Sequence, residues 1–147
     1  MSKILGVDYG ERRTGVAISD ESRTIAFPRE TLDCPRVEQA AAAVARLAEA
    51  ERAAEIVVGY PLNMNGSKGA RAERTDEFLA EVAKRTAIPL KKWDERLSTK
   101  IAEAVLIEAG TSRQKRRGVV DKLAAQVILQ GYLDAGAGAV FHGGDAT

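Results

Sequence analysis

The sequence predicts one α/β domain, a mixed five-stranded sheet of three antiparallel strands followed by parallel ones, flanked by helices. Three observations predict it. Two β-rich runs, "ILGVDY" and "TGVAISD", are separated by the turn sequence "GERR" and read as a hairpin. The run "EIVVGYP" is continuously apolar, as in a strand buried on both faces in parallel pairing. Helical periodicity follows the opening strands and brackets that buried run.

Taken in order, the hairpin supplies two strands, and "TIAFPRETL" supplies a third antiparallel one in which Pro28 marks an edge or an irregularity. In "RVEQAAAAVARLAEAERAA", Val37, Ala41, Val44, Leu47 and Ala48 fall on one helical stripe. After "EIVVGYP" comes the glycine-containing loop "NMNGSKG", then a helix over roughly residues 70–86 with Phe78, Leu79 and Val82 facing the core, then the strand "IPLKKWDE". "STKIAEAVLIEAG" reads as a helix stopped by Gly110. The loop "TSRQKRRG" leads into a last helix, "VVDKLAAQVILQGYLD", with Val120, Leu123, Ala124, Val127 and Ile128 on one face. A Gly/Ala-rich stretch over residues 137–147 is expected to be a mobile tail, which leaves residues 1–136 as the folded unit.

Composition narrows the function classes. The 147 residues are 45% hydrophobic and 29% charged, an ordinary globular balance, and 147 is close to the size of one domain. No apolar run is long enough to span a bilayer and the N-terminus lacks signal-peptide architecture, so a cytoplasmic protein with no membrane partner is expected. The single cysteine, Cys34, excludes an internal disulfide, and the single histidine, His142, excludes a two-histidine metal site within one chain. Cys34 reads as an incidental loop thiol and His142 as a tail residue. Any metal would be held by oxygen.

Charge is uneven along the chain. Residues 1–83 hold 11 Lys/Arg against 14 Asp/Glu, whereas residues 84–122 hold 11 against 5, a concentration that suits an anionic partner such as nucleic acid. Aromatic residues make up only 5% of the chain, with no spaced stripe for stacking bases, so recognition is expected to rest on backbone shape and charge. Trp93 reads as core packing.

The chemistry gathers around carboxylates. Asp8 ends the first strand, and a lone buried carboxylate costs several kcal/mol, roughly, unless paired or bound to a metal. Functional groups collect at the carboxyl ends of adjacent strands in α/β sheets. "WDER" ends the last strand with Asp94 and Glu95, which must face opposite ways, so only one can face a site shared with Asp8. Asp121 is expected in the first turn of the final helix, where the helix dipole favours a carboxylate. Converging carboxylates without histidine or thiolate suit Mg²⁺ or Mn²⁺, and such sites perform phosphoryl transfer.

"DYGERRTGVAISD", "IVVGYPLNMNGS", "WDERLSTKIAEAVL" and "RQKRRGVVDKLAAQVILQGYLD" together resemble the YqgF family, also called RuvX, of RNase H-like nucleases related to Holliday junction resolvases. The resemblance runs over roughly residues 3–134. It implies an RNase H-like fold and catalytic, metal-binding carboxylates at Asp8, Glu95 and Asp121, with Asp94 the alternative to Glu95. It further implies a substrate that is either the 5′ end of precursor 16S ribosomal RNA or branched DNA. Where the related RuvC-type resolvases carry a fourth acidic residue, this chain has Ala124, which leaves three carboxylates and the number of bound ions open.

Supporting residues follow from charge and position. Arg113, Lys115, Arg116 and Arg117 in "TSRQKRRG" are expected to clamp phosphates from a loop before Asp121, and Arg12 and Arg13 to reach the same substrate. In "GYPLNMNGS", Gly59 permits close approach, and Asn63 and Asn65 offer hydrogen bonds to nucleic acid. A junction resolvase needs two active sites, hence a homodimer, whereas RNA processing is compatible with a monomer. Two other classes compete. Sugar kinases, actin and the large heat-shock chaperones also begin with an Asp-x-Gly hairpin, but they close two such domains around a nucleotide. A catalytically silent module of ribosome assembly would bind RNA without cutting it.

Overall fold

The computed structural model describes residues 2–94 and 113–136, and the side chains of 113–120 are not among those described. Five strands, β1 (Ile4–Asp8), β2 (Arg13–Ser19), β3 (Ala26–Asp33), β4 (Glu55–Tyr60) and β5 (Leu90–Asp94), form one sheet in the order β3-β2-β1-β4-β5. β1 pairs antiparallel with β2, and β2 with β3, while β4 lies parallel between β1 and β5. The mixed sheet is therefore as the sequence predicts. Helices α1 (Val37–Ala50) and α2 (Ala70–Ala83) precede β4 and β5, and α3 (Arg113–Asp134) follows.

Alternation along the strands sorts the core into two layers. Leu5, Val7, Val16, Ile56 and Val58 face α1 and α2, where they meet Ala41, Val44, Ala48, Phe78 and Val82. Ile4, Ala17, Ala26 and Val57 face α3 and meet Ala125, Ile128, Leu129 and Tyr132. Both faces of the central strands are thus covered, which is why "EIVVGYP" carries no polar alternation. Pro28 sits on β3 at the sheet edge, beside a register shift that leaves Arg29 without an opposite number on β2. Gln126 and Gln130 of α3 bond the carbonyl and amide of Ala26, which fixes the helix to that edge.

The structure corrects two expectations about α3. "RQKRRG" is not a loop: the helix already begins at Arg113, as befits a stretch of strong helix formers with only Gly118 to weaken it. Asp121 therefore sits in about the third turn rather than the first, beyond reach of the N-terminal dipole, and packing rather than the dipole must hold it in place. The buried stripe of α3 is Ala124, Ala125, Ile128, Leu129, Tyr132 and Leu133, with Leu123 and Val127 only partly covered. The expected helix over residues 98–110 lies outside the described residues, as does the tail with His142. Cys34 is a half-buried free thiol that packs beside the α1 layer.

Candidate active site

Two glycines let α3 lie directly on the sheet. A Cβ on Gly15 of β2 would collide with the carbonyl oxygen of Asp121, and one on Gly6 of β1 would stand 2.7 Å from Cβ of Leu129. Since Gly15 is the register partner of Asp8, the backbone of Asp121 rests on the residue next to Asp8 across the ladder. Asp8 shares strand parity with Ile4 and Gly6, so its side chain belongs to the α3 face. Asp8 and the backbone of Asp121 thus lie on the same face of the sheet near the carboxyl end of β1, although 113 residues separate them in the chain.

Asp121 is bound by Arg13. Nε of Arg13 donates to its Oδ2 at 2.9 Å, and both side chains are largely covered, at 32% and 22% exposure. Burial pushes the Asp121 carboxyl above the usual carboxylate range, and the Arg13 hydrogen bond and charge oppose that push. Arg13, which the sequence places near the substrate, bonds the Asp121 carboxylate. Arg12 is exposed, and its carbonyl accepts the Cys34 amide at 3.0 Å, which braces the turn between β1 and β2.

The strand-end ambiguity of "WDER" resolves in part. Trp93 lies on the α3 face, edge-on to Tyr132 at 6.0 Å between centroids and against Gly131. It packs in the core, as expected. Asp94 pairs in register with Tyr60, whose hydroxyl donates to Asp76 of α2, so Asp94 belongs to the opposite face and does not join Asp8. Glu95 lies outside the described residues. Gly59, register partner of Trp93, contributes no side chain to the α3 face, which leaves the sheet beside Asp8 uncrowded by β4.

The loop after β4 is braced from within. Asn65 Oδ1 accepts the amide and hydroxyl of Ser67, Asn63 Nδ2 donates to the Ser67 hydroxyl, and Leu62 bridges Lys68. These bonds hold the loop's shape, with Gly66 at φ 86° completing the turn. The backbone of Arg113, Lys115, Arg116 and Arg117 forms the first two turns of α3, a basic helical segment leading to Asp121, and their side chains lie outside the described residues.

A second polar knot escaped the sequence reading. Behind the α3 face, Asp76 accepts the buried Tyr60 hydroxyl at 2.9 Å and faces Lys68 and Lys92 at 3.7 and 3.8 Å. Burial and the Asp76 bond raise the Tyr60 phenol. No periodicity links these residues.

Among the described residues, no three carboxylate, cysteine or histidine groups gather as a metal cage. Asp8 and Asp121 are nevertheless oxygen donors on one face, the donor type a hard divalent cation takes.

The chain matches the family model RuvX, described as Holliday junction resolvase, over residues 2–135. A relative from Halothermothrix orenii, provisionally named a pre-16S rRNA nuclease, is 49% identical over 132 residues, 90% of this chain and 94% of its own. One of the same name from Symbiobacterium thermophilum is 48% identical over 133 residues, 90% and 92% of the two chains. Among solved structures, T. thermophilus RuvC in complex with a Holliday junction substrate superposes with TM-score 0.59 at 16% identity, over 92% of this chain and 97% of that one. Fowlpox virus resolvase, also solved with Holliday junction DNA, gives 0.55 at 11% identity, over 90% and 97%.

Proposed function

The chain belongs to the RuvX family of nucleases, and from that premise we propose that it hydrolyses phosphodiester bonds of precursor 16S ribosomal RNA with a divalent cation held by Asp8, Glu95 and Asp121. The observation that supports the reading is that Asp8 and the Asp121 backbone, packed on Gly15 across the ladder from Asp8, lie on one sheet face. Glu95, which lies outside the described residues, is our choice of third carboxylate, since Asp94 belongs to the opposite face from Asp8. Mg²⁺ or Mn²⁺, when bound, would stabilise charge developing on the phosphate.

The protein's own groups do the rest. Asp8 and Asp121 supply oxygen ligands; Arg13 holds the Asp121 carboxylate in position and compensates its burial until the cation arrives. The cationic segment from Arg113 to Arg117, with exposed Arg12, draws the nucleic-acid backbone toward that edge. No helix among the described residues is long and apolar enough to cross a membrane, in keeping with action on RNA in the cytoplasm.

The test is cleavage of a 5′-extended ribosomal RNA fragment and of a four-way DNA junction by the parent and by Asp8→Asn, with Mg²⁺, with Mn²⁺ and with chelator. Metal-dependent cutting of the RNA by the parent alone supports the reading. The family description and the fold shared with junction resolvases favour branched DNA as the second substrate, and symmetric nicking of the junction by a dimer would make it the first. RNA binding without cleavage by any form would overturn both.

A further inference from the structure

The tip of β1 borders a second concavity on the face opposite α3. Asp8 belongs to the α3 side, whereas Tyr9 lies stacked on Phe78 of α2, with centroids 4.5 Å apart and the rings inclined by 15°. Around it, Tyr9, Gly10, Glu11, Arg71, Arg74 and Thr75 line a cavity of about 370 Å³, room enough for a sugar and its phosphate.

The lining has the chemistry of an anion site. Arg71 and Arg74 bring two guanidinium groups from the first two turns of α2, whose free amide end favours negative charge as well. Glu11 already plays the anion: its Oε1 meets Nη1 of Arg74 at 2.5 Å, and both side chains are well exposed, at 63% and 49%. An exposed pair of this kind contributes little stability, so an incoming phosphate can replace the carboxylate cheaply. Thr75 is wall rather than ligand, since its hydroxyl donates to the carbonyl of Arg71. Glu77 also lies near the Tyr9 hydroxyl. Glu77 makes the rim mixed in sign, which weakens capture of stray anions.

We propose that this cavity holds a backbone phosphate of the nucleic-acid strand next to the one presented to Asp8 and Asp121, gripped by Arg71 and Arg74, with Glu11 occupying Arg74 until the strand arrives. The inference rests on the nuclease reading. Its geometric basis is that Asp8 and Tyr9 are consecutive residues on opposite faces of one strand tip, so a strand crossing that tip meets both.

The experiment measures oligonucleotide binding in chelator, as a function of salt, for the parent, Arg74→Gln, Arg71→Gln and Glu11→Gln, with 5′-hydroxyl and 5′-phosphoryl RNA. Each arginine variant should bind roughly tenfold more weakly, with a salt slope shallower by about one. Glu11→Gln should bind several-fold more tightly, and because Glu11 is exposed this variant stays informative even if an arginine variant folds poorly. Unchanged binding in the arginine variants, or no gain in Glu11→Gln, overturns the proposal. Losses confined to 5′-phosphoryl RNA overturn it too, since they would assign the cavity to a chain terminus. Cleavage by the parent is scored separately: a parent that cuts while the variants bind normally sinks the cavity alone, and a silent parent whose variants lose binding sinks the chemistry alone.

Discussion

Arg13 of β2 and Asp121 of α3 are 108 residues apart and share one hydrogen-bonded ion pair of 2.9 Å. This contact ties the hairpin to the helix beside Asp8, and it compensates a carboxylate that burial would otherwise protonate more readily.

The Asp121 carboxyl titrates above the unfolded value, so its charged form is a cost to the folded state that fades as pH falls through the folded pKa. Arg13→Ala enlarges that cost. We expect a loss of about 1–2 kcal/mol at neutral pH that closes in acid. Denaturant melts of parent and variant across pH, with carboxyl NMR of Asp121, check both parts.

Gly15→Ala places a methyl group into the carbonyl of Asp121. The helix must lift away from β2, at about 1–3 kcal/mol. A normal melting temperature with normal cleavage would refute the close-packing account of the site.

Asp8→Asn removes the charge of the proposed cation ligand without changing its size. Cleavage should fall at least about a hundredfold, equivalent to roughly 3 kcal/mol of barrier, while the melting temperature stays near the parent's. Initial rates at saturating metal decide it.

Thr14 is fully buried, and among the described residues its hydroxyl is the side-chain polar atom left without a partner. Thr14→Val keeps the shape and removes the orphaned group. Stability should rise by about 1 kcal/mol, read from the shift in denaturant midpoint.

Glu51 follows the end of α1 and accepts Lys3 at 3.2 Å and Arg29 at 3.0 Å. The Lys3 hydrogen bond, with Arg29 adding to it against burial, holds its carboxyl below the usual range. A depressed pKa gives stability that is complete above the unfolded value of about 4.3 and is lost as pH falls through the folded one. Glu51→Gln should cost about 1 kcal/mol at pH 7 and nothing in strong acid, and the two pH profiles of unfolding should converge there.

The sheet was legible because burial writes itself into the chain: alternation in the hairpin, an unbroken apolar run in β4, and a proline where β3 borders solvent. The start of α3 was not, since a run such as "RQKRRG" is polar enough for a loop and helical enough for a helix, and only the fold decides. Asp8 could be singled out from its place at a strand end, and Asp121 from its motif. That Arg13 would hold Asp121 could not be read, because no local spacing connects residues on different elements. Asn63 and Asn65 show a related limit: their residue types serve a turn and a ligand equally well, and the bonds to Ser67 shape the turn.

The bulge at Arg29 and the proline beside it also govern how these molecules treat one another. An open sheet has two outer strands, and an outer strand with free amides invites a neighbouring copy to extend it. On β3 the exposed Phe27 would reward such stacking, but Pro28 offers no amide and the extra residue breaks the regular spacing a visiting strand would need. On β5 the outward Lys91 sets like charges against each other. Among the described residues, both borders of the sheet thus carry features that discourage a neighbouring copy from adding a strand in concentrated solution.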